Sequence, residues 1–171
     1  MARAESKAKP KRRVGRFVVL LVLLAVAGIA GVTVLFSSDR FSYGNVTGGS
    51  VPVGEVMVIG MGSPSGSTVV RHADAVIAPG SPAAATTVLV CRNDTHRNQI
   101  GPLQGWSTIA QYCAHVMPAA GAHLRSSDYL LLTVVPLAAG RIEIDGVRVT
   151  HSSVIRDRSE RTGSKVVVTA N

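Results

Sequence analysis

The stretch YLLLTVVPLAAGRIEIDGVRVT, residues 129–150, carries two different strand signatures in succession. From Tyr129 to Val135 no charged residue interrupts the apolar run, so neither face of a strand there suits water. Such a strand belongs in the centre of one sheet with the opposing sheet over it. In the second part Ile142 and Ile144 fall on even positions, whereas Val147 and Val149 fall on odd ones. Side chains of a strand alternate between faces, so the inward phase slips by one residue at Asp145-Gly146. A bulge or a tight turn there restores the pattern, and a bulge fits better because a two-residue hairpin leaves very short strands on either side.

Outward from this stretch the chain repeats short β-favouring runs: EVMVIGM (55–61), STVVRHADAVI (67–77), TTVLVCR (86–92), TIAQYCAHV (108–116) and KVVVT (165–169). With the two above they make seven candidates, separated by clusters such as Ala78-Pro79-Gly80-Ser81-Pro82 and Met117-Pro118-Ala119-Ala120-Gly121 that cannot continue helices. The expectation is an all-β sandwich of about seven strands over residues 55–171. Residues 107–115 compete as a helix capped by Ser107, but the segment is short and stops before Pro118, so a strand is expected. Residues 37–54, SSDRFSYGNVTGGSVPVG, are rich in Ser and Gly without a sustained period and read as a flexible tether.

Upstream, residues 17–36 read FVVLLVLLAVAGIAGVTVLF, twenty residues without a charge. As a helix rising ~1.5 Å per residue they span ~30 Å, the hydrocarbon thickness of a bilayer. Seven of the eighteen Lys and Arg residues lie in the first 16 positions beside a single acid, Glu5. Lys11, Arg12, Arg13 and Arg16 flank the apolar run directly, which places residues 1–16 in the cytoplasm and the rest beyond the membrane. A cleavable signal peptide has a shorter apolar region; Ala25-Val26-Ala27 offers an A-x-A pattern, yet nine more residues of the apolar run follow. An uncleaved signal-anchor helix is therefore expected, and a lipoprotein anchor is excluded because the first cysteine is Cys91. Ala27 and Gly31 form one small-xxx-small pair, too common a feature to fix an oligomeric state. After the tail, eleven basic and nine acidic residues remain, without the concentrated basic footprint of a nucleic-acid binder.

Cys91 and Cys113 are the only cysteines. In an exported segment this is the arithmetic of one structural disulfide, which in the loop-entropy account contributes ~3.4 kcal/mol. The histidines, His72, His96, His115, His123 and His151, show no i, i+4 pair and no metalloprotease motif. Cys113 and His115 would share a strand face, but a metal there needs an unpaired Cys113. Ser, His and Asp are all present for a hydrolase, without local support for one. Val58-Ile59-Gly60-Met61-Gly62-Ser63-Pro64-Ser65-Gly66 falls short of a dinucleotide-binding turn, because Ser65 replaces the third glycine and no βαβ unit follows; it reads as a hairpin turn. Asn45-Val46-Thr47 and Asn93-Asp94-Thr95 match glycosylation acceptors, which matter only in a host that reads them. Trp106 suits a core plug beside the disulfide, and the alternating charges of Arg156 to Arg161 suit a solvated loop or hairpin tip.

The C-terminal run YLLLTVVPLAAGRIEIDGVRVTHSS, followed by RSERTGSKVVV, resembles the ends of uncharacterised actinobacterial proteins with a basic tail, one membrane anchor and an immunoglobulin-like exported domain. The likeness covers the anchor and mainly the last 45 residues. It implies an immunoglobulin-like β-sandwich outside the cell and supplies no catalytic residues. An excess of Arg over Lys, 14 to 4, fits a GC-rich genome. The resulting expectation is a single-pass membrane protein whose exported domain binds or scaffolds without catalysis and without a cofactor. Its partners are the lipid bilayer and an envelope protein or polymer, with no nucleic acid. The alternative is an extracytoplasmic metal-binding protein or enzyme using His and Cys residues.

Overall fold

The structure is a computed structural model that describes residues 19, 21–28, 41, 43–92, 102–105, 109–152 and 157–171. Contacts divide it into a unit over Met1–Ser38 and a second over Asp39–Asn171. In the first, residues 21–28 are helical. Val19, Leu21, Val22, Leu23, Leu24 and Val26 all expose between 57% and 63% of their surface, so the described apolar side chains are exposed on every side of this helix. Among the described residues, no helix is long and apolar enough to cross a membrane. Apart from Val19 and residues 21–28, the expected span 17–36 lies outside the described residues, as do the tail 1–16 and Lys11, Arg12, Arg13 and Arg16.

The second unit is all-β. Its strands are β1 (Tyr43–Val51), β2 (Met57–Gly62), β3 (Thr68–Ile77), β4 (Ala84–Arg92), β5 (Leu103–Gln104), β6 (His115–Pro118), β7 (His123–Leu124), β8 (Tyr129–Pro136), β9 (Gly140–Ser152) and β10 (Asp157–Ala170). The first sheet has the order β1-β10-β9-β3-β7 and the second β5-β2-β8-β4-β6. Among the described residues only β1 and β10 run parallel, and the other pairings are antiparallel. The sheets enclose one core, to which the second contributes Met57, Ile59, Val88, Val90, Leu130, Leu132 and Val134, and the first Val70, Ile142, Ile144, Val147, Val149, Val166 and Val168.

β8 sits between β2 and β4, in the centre of its sheet as expected. Its two faces meet different partners. Leu130, Leu132 and Val134 enter the inter-sheet core, whereas Leu131 joins Val58, Leu89, Cys91, Ile109 and Cys113 in a second cluster. The continuous apolar run is thus required because the outer face of this sheet is covered as well. In β9 the slip at Asp145-Gly146 is a bulge. Ala75 pairs with Val147 and Ile77 with Ile144, so two residues of β9 oppose one of β3. Gly146 has φ +80°, a conformation that a side chain resists. Beyond the bulge Val147, Val149 and His151 face inward, as Ile142 and Ile144 do before it.

Several expectations need correction. The tether 37–54 is not one throughout, because Tyr43–Val51 is strand β1. Its glycines, which looked like a linker signal, allow a close approach to β10. A Cβ at Gly48 would collide with the Val167 carbonyl oxygen, whereas one at Gly49 meets only the mobile end of Met57. Gly48→Ala is therefore expected to push β1 off β10 and cost roughly 1–3 kcal/mol, with Gly49→Ala costing less. Urea unfolding midpoints of the two variants provide the check. The segment expected as a strand over 108–116 splits into a 3-10 turn, Ile109–Gln111, and β6, which begins at His115. The turn after β2 is no hairpin: β2 and β3 lie in different sheets, and the Gly62-to-Gly66 connection crosses between them. Asp157 to Arg161 are not a hairpin tip but the first part of β10, paired with Ser152 to Arg148.

Candidate functional site

Three polar constellations are built on the sandwich. The first arises where the alternation of β9 carries a histidine into a position of the core-facing row. His151 is fully buried, and its Nδ1 lies 3.2 Å from the Thr68 hydroxyl at the start of β3. Its Nε2 lies 3.0 Å from Glu160 Oε1 on β10. The other carboxylate oxygen accepts the Phe41 backbone N–H at 3.2 Å, and the Phe41 ring meets the imidazole edge-on with centroids 5.7 Å apart. The Thr68 hydroxyl also lies 3.3 Å from the Ser152 carbonyl, to which it can donate. With a single proton, that hydroxyl donates either to this carbonyl or to Nδ1, and in the first case it accepts from a protonated Nδ1. A hydroxyl, imidazole and carboxylate in series resemble the parts of a hydrolytic triad. Here, however, the Glu160 side chain is 8% exposed, His151 0% and Thr68 6%, so substrate has no access to the hydroxyl. The network ties β3, β9, β10 and residue 41 together.

The second constellation lies on the outer face of the second sheet. Cys91 of β4 and Cys113 form a disulfide, and no described cysteine is free. The bridge holds Ile109, with Tyr112 beside it, over Val58, Leu89 and Leu131. One residue beyond Cys91, on the opposite face of β4, Arg92 donates to the buried Asp128 carboxylate at 3.3 Å and to the His123 carbonyl of β7 in the first sheet at 3.1 Å. Asp128 also accepts the Arg125 backbone N–H at 2.9 Å, which closes the turn into β8. Cys113 is thus not on a strand with His115; it follows the 3-10 turn, and its sulfur is taken by Cys91.

The third constellation is the charged outer face of the first sheet. Lys165 Nζ and Arg141 Nε each lie 3.0 Å from the Glu143 carboxylate. The hydrogen bond from Lys165, then its charge, and then Arg141 hold the Glu143 carboxyl below its ordinary range. The same bond to Glu143 raises the Lys165 ammonium. Farther along, His72 pairs with Asp74, and Arg71 donates to Ser152 at 2.8 Å, close to Asp157. Arg148 and Arg161 stand directly opposite one another on β9 and β10, both exposed.

The expected disulfide is the one sequence-derived site that these residues bring together. His72, His115, His123 and His151 are dispersed over β3, β6, β7 and β9. Among the described residues, no group of three His, Cys, Asp or Glu is placed to hold a metal ion. His96, Trp106, Arg156 and the Asn93 triplet lie outside the described residues. Reading the sequence missed the His151–Glu160 pair, although one signal was available. Once the bulge is accepted, Val147, Val149 and His151 share the inward phase.

No protein-family model, curated protein or solved structure matches the chain.

Proposed function

We propose that the chain is a single-pass membrane protein, with residues 1–16 cytoplasmic, 17–36 a signal-anchor helix, and an extracytoplasmic immunoglobulin-like β-sandwich that works as a non-catalytic binding or scaffolding unit of the cell envelope. The observation that carries this reading is the helix at residues 21–28, apolar on every side, with its described Leu and Val side chains exposed. An all-round apolar helix needs either a protein core or lipid around it, and lipid meets the need here. The disulfide supports the extracytoplasmic setting, since such bonds persist where thiols are not kept reduced. The buried Thr68–His151–Glu160 series supports a structural rather than catalytic use of the most triad-like residues, and Cys113 offers no thiol to a metal.

Protease added to intact cells stripped of any outer barrier is expected to degrade the C-terminal domain and spare a tag placed before Lys11. Neutralising Lys11, Arg12, Arg13 and Arg16 together is expected to produce a population of reversed orientation. A C-terminal domain that survives the protease while remaining digestible after lysis overturns the topology, and with it the envelope role.

A further inference from the structure

On the outer face of the first sheet, β9 and β10 set Arg148 directly across from Arg161. Residues opposed in this way have Cβ atoms only ~4.5–5.5 Å apart, and like charges so placed repel. Elsewhere on this face acids offset the bases: Glu143 serves Arg141 and Lys165, Asp157 lies near Arg71, and Asp74 pairs with His72. Asp74 is also the residue across from Arg148 on β3, yet it makes no ion pair with Arg148. Among the described residues, neither Arg148 nor Arg161 has an ion-pair partner. The fold therefore sets two guanidinium groups side by side with neither held in an ion pair, while Asp74, across from Arg148, is engaged by His72.

The surroundings suit a multivalent oxyanion. Ser159 and Thr150 form the next opposed pair on the same face, two residues along each strand, and bring two hydroxyls beside the guanidinium groups. Each guanidinium presents parallel N–H donors matched to oxyanions. Two such forks and two hydroxyls supply more donors than the two oxygens of a carboxylate can use, whereas a phosphate group offers at least one more oxygen.

We infer that Arg148 and Arg161, with Thr150 and Ser159 beside them, form a binding site for a phosphate group on the outer face of the first sheet. The site gives the proposed binding unit a ligand class and rests on that reading only for its extracytoplasmic setting. A phosphate group can come from a soluble phosphate compound or from a lipid headgroup, and both present the same oxygens.

The test uses the full-length chain reconstituted in phosphatidylcholine nanodiscs, with phenylglyoxal modification of individual arginines followed by mass spectrometry. In one arm inorganic pyrophosphate is added; in the other, a third of the lipid is phosphatidylglycerol and no soluble ligand is present. Protection of Arg148 and Arg161 by at least threefold, with Arg141 unaffected, is expected in one arm, and the arm in which it appears identifies the source. Arg148→Thr and Arg161→Thr are expected to abolish the protection of the remaining arginine. Without ligand each should raise Tm by about 1–4 °C, because the repulsion is gone. A purely structural arginine would instead lower Tm when replaced. Absence of protection in both arms, or equal protection of Arg141, overturns the site. Neither result depends on orientation in the cell, so it can fail while the protease experiment succeeds, and the reverse.

Discussion

His151→Ala is expected to destabilise the sandwich by about 3–5 kcal/mol, the range for breaking a buried ion-pair or hydrogen-bonded partner. The imidazole is fully buried and bridges a hydroxyl on β3 to a carboxylate on β10, while the Phe41 ring rests against it. Its removal leaves a space in the core and takes a hydrogen-bonding partner from Glu160 in a site where water cannot replace it. Glu160→Gln keeps an oxygen that can accept from Nε2 and should cost nearer 1 kcal/mol. Replacing the pair together, His151→Leu with Glu160→Met, should recover part of the loss, since neither member of the pair is then left without the other, although the Phe41 N–H still loses its acceptor. Urea unfolding of the single and double variants yields the coupling energy directly. A loss below about 1 kcal/mol for His151→Ala would sink the idea that this network holds the end of the sandwich.

Removal of the disulfide should have a comparable effect. Cys91→Ala combined with Cys113→Ala is expected to lower stability by roughly 3 kcal/mol, a large share of the ~5–15 kcal/mol typical of a domain. The bridge joins positions 22 apart and keeps Ile109 over Leu131 on the outer face of the second sheet. Reduction should therefore loosen that cover first, because the inter-sheet core does not contain the bridge. Urea titrations with and without reductant give the magnitude, and iodoacetamide should label neither cysteine before reduction. Labelling of the native protein at either sulfur would contradict the bridge.

Much of the sandwich was legible because side-chain alternation survives in the residues themselves. The bulge in β9 followed from Ile142 and Ile144 set against Val147 and Val149, and the central position of β8 followed from its unbroken apolar run. β1 was hidden for the opposite reason. Its Gly44, Gly48 and Gly49 carry no face-marking side chains, and what makes it a strand is parallel backbone pairing to residues more than a hundred positions away. Likewise Asp157 to Arg161 look like a solvated run locally, but across from them lie His151 and the rest of β9, which draw Glu160 into the interior.

By itself the sequence determined the all-β character of the C-terminal unit, the bulge at Asp145-Gly146 and the Cys91–Cys113 bridge. Each follows from local periodicity or from a count with one solution. Only the tertiary structure decided that β2 and β3 belong to different sheets, that Tyr43–Val51 joins β10, and that Thr68, His151, Glu160 and Phe41 meet in the interior. These depend on pairings between distant segments. A strand's own residues specify which side must be dry, whereas the neighbour that makes it dry is chosen by the packing of the whole chain.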